Sequence, residues 1–215
     1  MKIEILKSIA SANDTAAEKN SELFRKNRII ALNIMSSPGS GKTSLIMSTI
    51  SRLRDKFRLA VIEGDIASSV DAQKVGKAGI PVVQINTGGD CSLQAHMIGS
   101  ALAKLPLKEV DILIIENVGN LICPAESYLG ESRKVVIASF PEGDDKPVKY
   151  PVMFSKADAV VVNKIDLAPH VDFDLKRFRK VVKGLNPGVE IFPLSCKTGE
   201  GVDKWVKWVA GLVSR

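Results

Sequence analysis

The stretch that decides the fold is residues 28–43, RIIALNIMSSPGSGKT. Residues 28–35 form a mostly apolar, β-branched run, which is the composition of a strand buried inside a sheet. The run ends at Ser36, and Lys42 opens a segment with helical periodicity. A strand, a glycine-rich turn and a helix start, in this order, are the context of a Walker A phosphate loop. The alternative is a glycine-rich turn that binds no ligand.

The residue types in this loop suit a triphosphate and its magnesium ion. Glycines let backbone N–H groups wrap the phosphates, a lysine adds a cation, and the hydroxyl of Thr43 can ligate magnesium. Ser36 stands where the motif has its first glycine, so the opening turn must accommodate a side chain. The predicted phosphate-binding residues are Gly39, Ser40, Gly41, Lys42, Thr43 and Ser44.

Strand-like and helical segments alternate along the rest of the chain. After the strand at 28–35, the patterns predict strands at 59–62, 81–85, 110–115, 134–139, 159–163 and 189–193, and helices at 42–56, 70–77, 93–104, 173–184 and 201–213. This alternation predicts a three-layer α/β fold of the P-loop NTPase type, with a doubly wound, mostly parallel sheet. Its ligands bind beyond the carboxyl ends of the strands. Two stretches without a clear period, 119–133 and 140–155, are predicted to be loops.

The 215 residues predict a single P-loop domain, 1–215, in which 1–27 form an N-terminal amphipathic helix and 28–215 the nucleotide-binding core. No apolar run reaches the roughly 18 residues of a membrane span, and the N-terminus lacks a signal-peptide pattern, so we expect a cytoplasmic protein without a membrane partner. The 30 basic residues are scattered among 24 acids, which disfavours a nucleic-acid partner despite a net charge of +6. Three cysteines, an odd number, make a disulfide framework improbable.

A second motif, Asn163-Lys164-Ile165-Asp166, ends an apolar strand. Asp166 can accept hydrogen bonds from N1–H and the 2-amino group of guanine, whereas adenine offers neither donor, so the motif favours GTP and GDP. Asn163 would brace the loop and the stem of Lys164 could lie across the base. Downstream, the triplet of Ser195, Cys196 and Lys197 could present backbone N–H groups to the guanine O6. Alone, such a tetrapeptide is usually a surface turn; its place after a phosphate loop makes it informative.

Carboxylates at strand ends are the candidates for magnesium and catalysis, together with Lys42. Asp65 ends the second strand and Asp71 follows near a helix start; either could hold the water shell of magnesium or orient the attacking water, although Asp71 could equally be a helix N-cap. Glu116 ends a buried strand and precedes Gly119, as in switches where an acid reaches magnesium and a glycine N–H senses the γ-phosphate. We expect GTP and GDP to place the loop after Gly119 differently.

A third set of residues has the chemistry of a soft metal site. Cys91 with His96, and Cys123 just past Gly119, offer thiolates and an imidazole that suit nickel or zinc. Three ligands leave a site incomplete, and a second copy related by a two-fold axis could complete it. Spacing alone favours the alternative, namely buried structural thiols and a surface histidine.

Several motifs together resemble the family of hydrogenase nickel-incorporation GTPases, HypB. The resemblance spans about residues 28–205 and is carried by SSPGSGKT (36–43), EGD (63–65), TG followed by Cys91, ENVGNLICP (116–124), PEGDDKPVKYP (141–151), NKID (163–166) and SCKTGEG (195–201).

The resemblance implies a GTPase that uses magnesium, dimerises when GTP is bound, and delivers nickel to [NiFe]-hydrogenase together with a small metallochaperone, HypA. It implies that Asp71 serves magnesium and hydrolysis, and that Cys91 and Cys123 form an interfacial nickel or zinc site. The chain departs from the pattern at Ser92, where the family usually has histidine. The alternatives are a urease-type nickel GTPase and a regulatory GTP-binding switch without metal delivery of its own.

Overall fold

The computed structural model describes residues 9–66 and 70–213. Seven strands form one sheet in the order β3-β2-β4-β1-β5-β6-β7, and every neighbouring pair is parallel. The strands are β1 (Ile30–Ser36), β2 (Leu59–Asp65), β3 (Val82–Asn86), β4 (Ile112–Glu116), β5 (Arg133–Ser139), β6 (Ala159–Asn163) and β7 (Glu190–Pro193). The predicted α/β fold is confirmed, and these strands are parallel throughout rather than mostly parallel.

Helices cover both faces of the sheet because adjacent side chains of a strand point to opposite faces. In β4, for example, Ile112 and Ile114 join one apolar cluster while Leu113 and Ile115 join another. The helices are α1 (Ile9–Asn27), α2 (Lys42–Leu53), α3 (Val70–Gly76), α4 (Ala95–Leu102), α5 (Cys123–Glu126), α6 (Lys146–Lys149), α7 (Pro151–Ser155), α8 (Leu175–Leu185) and α9 (Val202–Val213).

The two layers of helices differ in which part of the sheet they cover. Helices α2, α3 and α9 pack on one face, where Trp205 is fully buried. On the other face, α1 and α4 cover the β2–β4 side through residues such as Phe24 and Ile98, while α5, α7 and α8 cover the β5–β6 side. None of the helices in the described residues has the length and apolar character needed to cross a bilayer.

The prediction of loops at 119–133 and 140–155 is wrong in part, because these stretches contain α5, α6 and α7. These helices have four or five residues, which is too short for an apolar period to emerge, and proline stands in the first turn of each. The predicted helix within 1–27 is observed from Ile9, and residues 1–8 lie outside the described residues. It packs along α4, outside the sheet as expected.

Candidate functional site

The predicted phosphate loop connects the central strand β1 to α2, at the carboxyl end of the sheet. Gly39 and Gly41 have φ angles of 77° and 100°, in the left-handed region that favours glycine. A Cβ at Gly41 would also overlap with Nδ2 of Asn163. Glycine at this position therefore lets the phosphate loop and the second motif approach each other closely.

Ser36, the departure from the loop motif, is accommodated inside the fold. Its side chain is buried, its Oγ donates to the carbonyl of Ser37 at 2.6 Å, and Nζ of Lys42 lies 3.3 Å from the same Oγ. The extra hydroxyl is thus satisfied and positions the lysine of the loop.

Glu142 contacts the phosphate loop and was missed by the sequence analysis. The hydroxyl of Ser37 donates to its Oε1, and the hydroxyl of Ser139 donates to its Oε2 at 2.7 Å. Lys146 balances its charge, with Nζ 3.9 Å from Oε1. The acid ties the loop after β5 to the phosphate loop, and its position in the PEGDDKP run was the signal available in the sequence.

The predicted base-reading residues converge beside the phosphate loop. Asn163 braces it, because Nδ2 donates to the Ser40 carbonyl at 2.9 Å while Oδ1 accepts from the backbone N–H groups of Lys164 and Cys196 at 2.8 and 3.2 Å. The hydroxyl of Ser195 donates to Oδ1 of Asp166 at 2.6 Å and orients that carboxylate.

The pocket between these residues is lined by polar groups that can bind a base. Lys164, at φ 62°, extends across to donate from Nζ to the Gly39 carbonyl at 2.7 Å. Gly41, Ser44, Asp166 and Lys197 line the same pocket. The arrangement joins the two motifs into one cleft that can bind a nucleotide.

Four acids lie around a second cleft, next to Lys42 and the start of the phosphate loop. Glu116 ends β4 and its Oε1 accepts a hydrogen bond from the hydroxyl of Thr43 at 3.2 Å. Asp65 and Asp71 line the cleft, and Asp71 also pairs with Lys74 at 2.8 Å. Asp71 lies within the first turn of α3, which begins at Val70, rather than at the N-cap.

The fourth acid is Glu63, which the sequence analysis did not select. It pairs with Glu116 in the register of β2 and β4, and both side chains are buried. Burial, followed by repulsion from Glu116, raises the pKa of Glu63 to about 10. Burial also raises the pKa of Glu116, against the opposing effects of Glu63, Lys42 and Thr43. Two carboxylates in one desolvated space favour a shared proton or a bound cation.

The predicted switch glycine packs directly on the phosphate loop. A Cβ at Gly119 would lie 3.0 Å from Cγ of Pro38 and 3.2 Å from its backbone nitrogen. A change in the phosphate loop can therefore be transmitted to the segment that continues into α5.

Cys91 and Cys123 meet beside this segment and form a disulfide, with Cα atoms 6.1 Å apart. The expectation against a disulfide is wrong for this pair, because folding brings together the segments after β3 and β4, and an odd cysteine count does not exclude a single pair. Among the described residues, no three His, Cys, Asp or Glu side chains lie close enough together to hold a metal ion. The set of Cys91, His96 and Cys123 is therefore not assembled within one copy; His96 is exposed in the first turn of α4.

Two further positions clarify the cysteine chemistry. Ser92, which stands where the family usually has histidine, is buried. Its Oγ accepts a hydrogen bond from Nε2 of Gln94 at 3.3 Å. Burial raises the pKa of the free Cys196 thiol to about 11, which leaves it protonated. In the pocket beside Asn163, Cys196 therefore contributes a neutral side chain, while its backbone N–H donates to Oδ1 of Asn163.

A buried chain of hydrogen bonds, which the sequence did not predict, joins the segment that carries Cys91 to the segment that carries Gly119. Oδ1 of Asn117 accepts from the backbone N–H groups of Leu93 and Val118 at 3.0 and 2.9 Å, and its Nδ2 donates to Oδ1 of Asn33 at 3.2 Å. Asn33 in turn donates to Glu131 at 3.3 Å. Asn117 thereby connects the segments that carry Cys91 and Gly119.

Comparison with known proteins gives consistent matches over nearly the whole chain. The nucleotide-binding domain of CobW, HypB and UreG matches residues 30–193. The hydrogenase maturation factor HypB of Azotobacter vinelandii is 47% identical over 207 residues, which cover 96% of this chain and 68% of that protein.

Two solved structures extend the match to the fold. HypB from Archaeoglobus fulgidus superposes with a TM-score of 0.89 at 41% identity, covering 94% of this chain and 99% of that one. HypB from Helicobacter pylori in complex with nickel superposes with a TM-score of 0.90 at 38% identity, and the match covers 94% of this chain and 95% of that one. The chain belongs to the CobW/HypB/UreG family of nucleotide-binding domains and, within it, to the HypB hydrogenase maturation factors.

Proposed function

We propose that this protein is a GTPase that helps insert nickel during the maturation of [NiFe]-hydrogenase. The observation that carries the proposal is the position of Cys91 and Cys123 on two segments next to the cleft that contains Lys42 and Glu116. A nucleotide and a soft metal would then bind at the same edge of the sheet. The Helicobacter pylori relative, whose structure contains nickel, supports the choice of metal.

In the proposed reaction, GTP is hydrolysed to GDP and phosphate. Lys42 and the backbone of the phosphate loop hold the phosphates, and Asp166 selects guanine. Thr43, Asp71 and Glu116 would hold magnesium, whose charge supports the transferring phosphoryl group when it is bound. Asp65 or Asp71 would orient the attacking water. The fit to magnesium rests on buried carboxylate oxygens that lack a hydrogen-bond partner among the described residues.

Nickel is the cargo, with zinc as the competing ion, and the thiolates of Cys91 and Cys123 are its proposed ligands once reduced. Two copies that close over GTP would supply four sulfurs, and His96 of each copy is a further donor nearby. The proposed partners are a second copy of the chain, a HypA-like metallochaperone and the hydrogenase large subunit. We propose a cytoplasmic location and a single GTPase domain over residues 1–215.

Equilibrium binding of Ni²⁺ and Zn²⁺ tests the proposal. Reduced protein is titrated with each ion in the presence of GDP and then of a non-hydrolysable GTP analogue, while light scattering records its mass. We expect about one ion per dimer, with an affinity that depends on the nucleotide. A double variant, Cys91→Ser with Cys123→Ser, should lose the ion and retain GTP hydrolysis.

The matched control is Cys196→Ser, which changes a thiol outside the pair and should retain metal binding. If wild-type protein dimerises with the GTP analogue yet binds neither ion in either state, nickel delivery by this chain is refuted. The protein would then be a GTP-dependent switch that acts on a partner's metal.

A further inference from the structure

Glu63 and Glu116 are adjacent carboxylates at the carboxyl ends of two neighbouring parallel strands. They are register partners in β2 and β4, with relative exposures of 2% and 3%. Register partners on parallel strands project to the same face of a sheet and are separated by about 4.8 Å. The two acids are therefore held side by side by the sheet itself.

Within the described residues, each of these acids has one oxygen without a hydrogen-bond partner outside the pair. Oε2 of Glu63 and Oε2 of Glu116 have no hydrogen-bond partner in the part of the chain that the structure describes. Lys42 is the cation that acts on both carboxylates. One ammonium group can offset one of the two buried carboxylates, so the second must either hold a proton or face a bound cation.

Both acids also line the cleft at the start of the phosphate loop rather than the interior of an apolar cluster. The hydroxyl of Thr43, itself a proposed magnesium ligand, contacts Glu116 at 3.2 Å. Magnesium takes oxygen ligands in an octahedral arrangement and usually retains several of its waters. A second carboxylate beside Glu116 can accept hydrogen bonds from those waters and fix their orientation.

We propose that Glu63 is a positioning residue of the magnesium site and that it orients the ion's water shell together with Glu116. The inference rests on the proposed GTPase function and adds to it a residue outside the set of Thr43, Asp71 and Glu116. The proposed role explains why a buried carboxylate follows the four apolar residues from Leu59 to Ile62 in β2.

The test measures how much Mg²⁺ is needed to retain a fluorescent GDP analogue, using the full-length chain and the variant Glu63→Gln. The amide keeps the shape of the side chain and removes its charge. We expect the half-maximal Mg²⁺ concentration to rise about 10- to 100-fold, the usual effect of removing a group that orients metal ligands. Affinity for the analogue in excess EDTA should stay within about twofold of wild type.

Glu109→Gln is the matched control, because it removes one exposed carboxylate at the opposite end of β4. Thermal unfolding without Mg²⁺ separates a purely structural role. In the absence of the ion, the glutamine amide can donate a hydrogen bond to Glu116 as a protonated Glu63 would, so the Glu63 variant should be at least as stable as wild type. If the folded Glu63 variant needs the same half-maximal Mg²⁺ concentration as wild type, the inference about Glu63 is overturned and the proposed function still stands. If wild-type protein shows no Mg²⁺-dependent binding of guanine nucleotide, the proposed function falls with it.

Discussion

The substitution Asn117→Ala should lower the free energy of unfolding more than the substitution of an exposed asparagine by alanine in this fold. The side chain is fully buried, and it bonds the backbone N–H groups of Leu93 and Val118 and the side chain of Asn33. Leaving a buried polar group unpaired costs about 1–3 kcal/mol. Three buried groups lose their partner, namely the two N–H groups and Oδ1 of Asn33, because the bond from Asn33 to Glu131 is made by Nδ2 instead. The expected loss in the free energy of unfolding is therefore about 3 kcal/mol.

Urea unfolding of the reduced protein, followed by tryptophan fluorescence, measures this loss. Trp205 is buried between α9 and the sheet, on the face opposite to Leu93, so its fluorescence reports on unfolding of the whole sheet. Asn27→Ala is the control, because Asn27 is only half-buried and its hydrogen bond to the Leu23 carbonyl, one turn earlier, is exposed to solvent. We expect the control to change stability by less than about 0.5 kcal/mol. A difference below about 1 kcal/mol between the two variants would show that Asn117 does not hold these segments together.

Three other outcomes follow from single contacts. Gly41→Ala should abolish nucleotide binding in a titration with a fluorescent GDP analogue, because the new Cβ would overlap with Asn163. An affinity for the analogue within about tenfold of wild type would contradict this prediction. Thr49→Val should lower the free energy of unfolding by about 1–3 kcal/mol, since it removes the acceptor for the buried Trp205 N–H at 2.9 Å, and an unchanged urea midpoint would refute it. A neighbouring guanidinium lowers the pKa of Asp111, so its stabilisation is present above about pH 4 and is lost as pH falls through the depressed value. The stability advantage of wild type over Asp111→Asn should therefore shrink as the pH falls below about 4, and an advantage that stays constant would contradict the ion pair.

The strands and both nucleotide motifs could be predicted because their signals are local. A β-branched run that ends in a glycine-rich turn specifies a strand and a phosphate loop without reference to the rest of the chain, and the tetrapeptide that begins at Asn163 does the same for the base pocket. Boundaries were less accurate where capping decides them. The predicted helix at 173–184 begins at Leu175, because the Asp174 side chain accepts from the N–H groups of residues 176 and 177 and caps it.

The residues that were missed depend on contacts between distant parts of the chain. Glu63 becomes a partner of Glu116 only through the register of β2 and β4. Glu142 reaches the phosphate loop only after the segment following β5 folds back into short helices. The disulfide between Cys91 and Cys123 likewise needs the segments after β3 and β4 to converge. Periodicity and motif spacing carry no information about such pairings.

One signal in the sequence nevertheless points to most of the site. Apolar residues dominate the interior strands, yet five of the strands have a buried polar residue within their last three positions: Ser36, Glu63, Glu116, Ser139 and Asn163. A buried polar side chain costs stability unless it is hydrogen-bonded, so its presence needs a reason. In a parallel sheet the carboxyl ends of the strands form one edge, where ligands bind. Polar residues near the ends of mostly apolar strands therefore mark the ligand edge, and this criterion selects Glu63, which belongs to the EGD motif but was not chosen as a site residue from it.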